Sequence, residues 1–82
     1  MEKEMINQLI DTAIHQLKYS YTPYSNFKVG AALLAKNGQV YTGCNIENAS
    51  FSATNCAERT AFFKAVYDGC YDFAAIAVVG GP

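Results

Sequence analysis

Residues 73–79 read Phe-Ala-Ala-Ile-Ala-Val-Val, a stretch without charge, proline or polar alternation, and it restricts the fold of this chain more than any other segment. A short, continuous apolar run of this kind fits an interior strand covered on both faces. Such a strand needs a layer above it, a layer below it and neighbours at its sides. A chain of 82 residues has little material for all of these, because short chains bury only a modest share of their surface. The expectation is therefore that the run belongs to a larger domain or is covered by another chain.

The remaining periodicities supply the rest of a layered arrangement. Over residues 2–19, Ile6, Leu9, Ile10, Ala13, Ile14 and Leu17 recur at spacings of three and four, the stripe of an amphipathic helix. Pro23 breaks that pattern, since the residue before a proline avoids helix. Residues 27–35 read as a strand apolar on both faces, and Gly30 in its middle predicts a close approach to its backbone. Asn37-Gly38 is a two-residue hairpin signal, followed by a second strand over residues 39–45 and a loop around Phe51. A second helix is predicted over residues 56–68, with Asn55 as N-cap and Gly69 as its stop. The order helix, strand, strand, helix, strand, with a strand–helix–strand crossover, predicts one α/β layered domain over residues 1–82 with a mixed sheet.

Composition narrows the possible functions. Hydrophobic residues make up 51% and charged residues 16%, a globular balance. Formal net charge is −1 and no basic patch exists, which argues against duplex nucleic acid as a partner. The start, Met1-Glu2-Lys3-Glu4-Met5, lacks the apolar stretch of a secretory signal, and no run reaches membrane-spanning length. Three cysteines do not make a disulfide framework, so free thiols in a cytoplasmic setting are expected.

Cys56-Ala57-Glu58-Arg59, at the predicted start of the second helix, carries the chemistry. A cysteine and a glutamate one residue apart form half of a zinc-deaminase site, the thiolate holding metal and the carboxylate moving protons. First-turn N–H groups and the helix dipole favour a thiolate at Cys56. Arg59 would donate to the metal-bound sulfurs and withdraw charge that several thiolates place on the ion. The bland alternative stands beside this. Asn55 and Glu58 form a near capping box, and Cys56 could be a small packed residue. Cys44 reads as a buried strand residue, Cys70 as a half-exposed turn thiol, and His15 as a solvated or packed helix residue. No Pro-Cys-x-x-Cys segment, the other half of such a site, occurs in the sequence.

Three longer segments extend the pattern: Pro23-Tyr24-Ser25-Asn26-Phe27-Lys28-Val29-Gly30-Ala31-Ala32-Leu33, Gly43-Cys44-Asn45-Ile46-Glu47-Asn48-Ala49-Ser50-Phe51-Ser52, and Asn55-Cys56-Ala57-Glu58-Arg59-Thr60-Ala61-Phe62-Phe63-Lys64-Ala65. In order and spacing they resemble the small, homotetrameric cytidine deaminases. The resemblance implies zinc-dependent hydrolytic deamination of cytidine or deoxycytidine, a pyrimidine-salvage step. It also implies a nucleoside substrate, a homo-oligomer, and a layered α/β/α fold of which this chain would be the N-terminal portion. It gives Cys56 as one zinc ligand, with two more cysteines expected beyond Gly80-Gly81-Pro82, where the loop before the missing motif would begin. Glu58 would shuttle protons, Ala57 would offer backbone contacts to the base, Phe27 would pack on the pyrimidine, and Asn45 and Glu47 would bind the ribose hydroxyls. Phe51 would lie near a neighbouring subunit's site. One thiolate does not hold a catalytic zinc, so the 82 residues alone are expected to be inactive. The competing expectations are a related deaminase acting on another base and a non-catalytic piece that folds only by association. If Arg59 acts through the metal, Arg59→Gln shifts the acid limb of the pH–rate profile or weakens zinc affinity; an unchanged profile and affinity would remove that role.

Overall fold

The structure, a computed structural model, describes residues 2–23, 26–47 and 54–81, with backbone alone at Thr54 and Asn55. Phe51, expected near a neighbouring subunit, and residues 24–25, 48–50 and 52 of the quoted segments lie outside the described residues. In chain order the elements are α1 (Lys3–His15), tightening into a 3₁₀ turn over Gln16–Tyr19, then β1 (Lys28–Ala35), β2 (Val40–Cys44), β3 (Ile46–Glu47), β4 (Thr54–Asn55), α2 (Ala57–Tyr67) and β5 (Phe73–Gly81).

Three strands form a sheet in the order β2-β1-β5, with β1 antiparallel to both neighbours. The sheet is therefore antiparallel throughout, where a mixed sheet was expected. The expected crossover is present: β2 and β5 run the same way and are joined through α2. They are not adjacent, because β1 lies between them. That insertion turns every pairing antiparallel.

The helices lie on opposite faces. Successive strand side chains alternate in direction, so Ala32 and Leu34 of β1 meet Leu9 and Ala13 of α1, with Ala75, Ala77 and Val79 of β5 packed alongside. Ala31 and Leu33 turn the other way onto Ala57, Ala61 and Ala65 of α2. The α/β/α layering follows, and β1, buried from Gly30 onward, is the strand covered on both faces.

That role was expected for residues 73–79. Instead β5 is an edge strand with alternating burial: its α1-facing side chains are half-buried, while Ile76 and Val78 are 46% and 47% exposed. α2 sits over β1 and β2 and leaves this side of β5 bare. Ile6, Ile10 and Ile14 of the α1 stripe are likewise exposed, and only Leu9 and Ala13 reach the core. An apolar groove of about 480 Å³ runs between Ile6, Leu9 and Ile10 and the β5 segment from Ala75 to Val79.

Close approach is made possible by glycine. A Cβ at Gly30 would overlap the Ala13 carbonyl oxygen, and one at Gly43 would overlap the Ala57 carbonyl oxygen. One glycine thus seats each helix on the sheet, and for Gly30 the sequence predicts as much. Local signals fare unevenly. Gly69, in the left-handed region at φ 80, ends α2 with Gly69 N–H donating to the Val66 carbonyl and Cys70 N–H to Ala65, a Schellman stop. At the hairpin, Gly38 N–H donates to the Ala35 carbonyl, Ala35 N–H to Gln39, and Gly38 alone has positive φ. The connection is a three-residue loop with a glycine bulge rather than the two-residue turn that Asn37-Gly38 suggested. Beside it, the Tyr41 hydroxyl donates to Asp68 at 2.6 Å, a bond that pushes its pKa up to about 12 and ties β2 to the end of α2.

Gly30→Ala is expected to lower unfolding free energy by about 1–3 kcal/mol, because the clash is with backbone that cannot step aside. Gly81→Ala, with open space around the added carbon, should change it by less than ~0.5 kcal/mol. Urea unfolding of both variants checks the contrast; equal effects would contradict this account of the α1 contact.

Candidate active site

Cys56 is the N-cap of α2, with extended backbone (φ −69, ψ 147), and it makes no side-chain capping bond. Asn55 was expected in that position. Its backbone is instead paired in β4, opposite Ile46, which moves the cap one residue along. Glu58 then falls at the second helical position rather than the third, outside the spacing of a capping box. Cys56 and Glu58 are both exposed in the first turn, whereas Ala57 is fully buried against the sheet. The N–H groups of a helix's first turn have no partner within the helix, so this end presents donors, a thiol and a carboxylate together.

The segment Asn45-Ile46-Glu47 is brought to the same end. β3 pairs with β4 in the register Ile46↔Asn55 and Glu47↔Thr54, which sets it alongside the residues leading into Cys56. A second tie is Thr60, whose hydroxyl is shared between the Cys56 carbonyl (3.2 Å) and the Cys44 carbonyl (3.4 Å). Thr60 N–H also donates to the Cys56 carbonyl at 3.0 Å. The helix start and the strand end are thereby fixed to one another.

Asn45, only 8% exposed, is occupied by the backbone of β1. Its Oδ1 accepts from Val29 N–H and its Nδ2 donates to the Phe27 carbonyl, both at 2.9 Å. Its own N–H donates to the Val29 carbonyl, and its carbonyl accepts from Tyr21 N–H. Phe27, 49% exposed, precedes β1 directly after Asn26, which turns the chain in the left-handed region at φ 57. Phe27, Val29 and Gly80 lie on the α2 side of the sheet. A chain of contacts thus runs from Phe27 through Asn45, Cys44 and Thr60 to Cys56.

Arg59 is exposed and, with Leu33, Glu58, Phe62, Phe63 and Ile76, lines an apolar groove of about 440 Å³ on the bare side of β5. Cys44 is half-buried, and desolvation pushes its thiol up, with the Lys64 charge partly offsetting it. Cys70 is half-buried after the α2 stop. His15 is exposed, its Nδ1 3.0 Å from the Asp11 carbonyl within its own helix. Among the described residues no cluster of three or more His, Cys, Asp or Glu could hold a metal. A catalytic zinc takes three protein ligands, and the described residues do not gather such a set.

A profile described as the zinc-binding region of cytidine and deoxycytidylate deaminases matches residues 3–82. The chain belongs to this family. It is 58% identical over 74 residues to the cytidine deaminase of Sporosarcina psychrophila, covering 90% of this chain and 54% of that protein. It is 57% identical over 79 residues to the cytidine deaminase of Halalkalibacterium halodurans, covering 96% and 58%. The crystal structure of cytidine deaminase from Burkholderia pseudomallei superposes with a TM-score of 0.87 at 52% identity, over 100% of this chain and 64% of that one. This deaminase-family chain thus spans little more than half the length of the curated relatives it matches.

Gly43, Thr60 and Gly80 shape this end of the molecule and were not singled out as site residues from the sequence. Nothing in a single sequence distinguishes a glycine that seats a helix from one that merely turns the chain. Gly80 was assigned to a loop, yet it continues β5 opposite Val29.

Thr60→Val keeps shape and removes the shared hydroxyl, so it should cost about 0.5–1.5 kcal/mol in urea unfolding. The amide resonances of Cys56 and Cys44 should shift more than those of α1. No change in either observable would show that Thr60 does not tie the helix to the strand.

Proposed function

We propose that residues 1–82 form a single, incomplete deaminase domain whose parent protein hydrolyses cytidine or deoxycytidine to the uridine, releasing ammonia, as a step of pyrimidine salvage. The observation that supports this is the β3–β4 register, which sets Asn45-Ile46-Glu47 beside the residues leading into Cys56 and Glu58 at the start of α2. Phe27 packs on the pyrimidine face, as an exposed aromatic ring can. Glu47 accepts hydrogen bonds from ribose hydroxyls, with Asn45 at the same subsite. Ala57 lends its backbone to the base. Glu58 takes a proton from the attacking water and returns protons to the ring nitrogen and the departing amine. Cys56 is one ligand of a zinc whose other ligands come from outside these residues, and Arg59 moderates the charge on its sulfur.

The 82 residues alone neither hold stoichiometric zinc nor turn over. Among the described residues no helix is long and apolar enough to cross a membrane. The parent protein is read as a cytoplasmic enzyme acting on a free nucleoside. A second possibility, a non-catalytic piece stable only through association, draws support from the bare side of β5, where Ile76, Val78, Phe62 and Phe63 are exposed. Those same surfaces favour a homo-oligomer, a tetramer by family likeness, in the complete protein.

The test completes the chain with the part of the Sporosarcina psychrophila relative that the match does not cover, then measures bound zinc and ammonia release from cytidine. Stoichiometric zinc and turnover are expected. Cys56→Ala should abolish both, and Glu58→Gln should keep zinc while lowering kcat roughly 10²- to 10⁴-fold. A completed chain that binds zinc and releases no ammonia from cytidine or deoxycytidine would reject the assignment.

A further inference from the structure

Gly43, buried in β2 opposite Ala31, lies under the first turn of α2. A Cβ built there would overlap the Ala57 carbonyl oxygen and stand 2.7 Å from the Ala61 nitrogen. These are the acceptor and donor that an α-helix pairs across one turn, so the obstruction is backbone, and no side chain can swing clear of it. α2 is tied to the same strand near its other end. The Tyr41 hydroxyl donates to Asp68, the C-cap of α2, at 2.6 Å, and the Lys64 ammonium donates to the Thr42 hydroxyl at 3.4 Å. A helix obstructed near its start and fastened near its end responds by tilting. Over the 11 residues of α2, about 16 Å of helix, the first turn rises most, and Cys56 and Glu58 rise with it. The Asn45–Glu47 segment stays. Asn45 is bonded to Phe27, Val29 and Tyr21, and Glu47 N–H donates to the Tyr21 carbonyl.

We propose that Gly43 is a positioning residue for the deamination: by letting the first turn of α2 down onto β2, it sets the height of Glu58 relative to the Asn45–Glu47 segment. This rests on the proton-moving role proposed for Glu58 above. A group that moves protons must stand within hydrogen-bond reach of the atoms it serves, and misplacement by about 1 Å costs about 10²-fold in rate. The groups given to the sugar and to the pyrimidine face stand on β3, on the β2–β3 junction and at the start of β1. A carbon at position 43 leaves them in place, so it separates proton transfer from substrate binding. Thr60 acts in the same direction, because its hydroxyl donates to the carbonyl of Cys44, the residue after Gly43, and holds the lowered turn down. Gly30 is the matched case on the opposite face. A Cβ there overlaps the Ala13 carbonyl oxygen of α1, and α1 carries none of these groups.

The chain completed as above is compared with its Gly43→Ala, Thr60→Val and Gly30→Ala variants, with rates expressed per folded chain. Gly43→Ala should lower kcat for cytidine about 10²-fold and leave KM within about 3-fold. Thr60→Val should lower kcat about 3- to 10-fold, the size of one hydrogen bond, again at unchanged KM. Gly30→Ala should unfold at lower urea, as Gly43→Ala does, and keep the parental kcat. On the 82-residue chain, the amide shifts caused by Gly43→Ala should fade along α2 from Ala57 to Tyr67 and spare α1. Equal kcat losses in Gly43→Ala and Gly30→Ala would make Gly43 a packing residue and overturn the proposal, as would a raised KM at the parental kcat. If Gly43→Ala does not fold, Thr60→Val decides by the same split between kcat and KM. If the completed parent chain releases no ammonia from cytidine or deoxycytidine, the nucleoside reading fails. The shift pattern then decides the positioning role, and shifts that are even along α2 overturn it.

Discussion

The burial of β1 on both faces is the constraint from which the rest of the molecule follows. Its even-numbered residues are covered by α1 and its odd-numbered residues by α2, and each helix comes close because a glycine stands where a side chain would block it. Alanine, rather than large side chains, fills most of the interface. Ala13, Ala31, Ala32, Ala57, Ala61 and Ala65 are essentially inaccessible, so the layers are thin and backbone geometry, more than side-chain bulk, sets their spacing. Thin layers gain less from apolar burial, which is consistent with the many aliphatic and aromatic groups left exposed on α1, α2 and β5.

The site is a by-product of that spacing. Because α2 is pressed onto β2 at Gly43, its first turn lies level with the end of β2, and the chain continuing from that end must pass beside Cys56. The two-residue ladder between β3 and β4 and the Thr60 hydroxyl hold it there. Asn45 then links the same segment to the start of β1. Residues separated in sequence by as much as Phe27 and Glu58 are thus joined by the β3–β4 ladder and by the Asn45 carboxamide and Thr60 hydroxyl, each bonded to backbone. A scaffold of this kind holds these residues together through the fold alone.

Much of this was legible in the residues and some was not. The α1 stripe, the Gly69 stop and the close approach at Gly30 each have a local physical cause, and each appears where the sequence puts it. The place of β5 has no local cause. Seven uninterrupted apolar residues look alike whether a strand is interior or at an edge, and only the pairing of β1 with both neighbours decides. The antiparallel sheet escaped for the same reason, since the crossover through α2 says that β2 and β5 run alike but not that β1 lies between them. The N-cap moved because the backbone of Asn55 is engaged with Ile46, a non-local pairing that overrides its capping preference. The placing of Cys56 and Glu58 together in the first turn of α2 was legible as a short pattern. The engagement of Asn45 by β1 was not, because a carboxamide that clamps backbone and one that binds a sugar are the same letter.

The central claim is that these residues, without metal, hold the Asn45 segment, the start of β1 and the first turn of α2 as one unit. Amide hydrogen exchange of the metal-free 82-residue chain tests it most directly at Val29 and Asn45, whose N–H groups join β1 to the Asn45 segment, at Glu47, whose N–H holds that segment to the Tyr21 carbonyl, and at Thr60, whose N–H closes the first turn of α2 on the Cys56 carbonyl. The account predicts that these four exchange as slowly as the amides in the middle of β1. Exchange at the rate of an unstructured peptide at Val29, Asn45 and Glu47, with the middle of β1 still protected, would show that the sheet forms without assembling the site, and would contradict it.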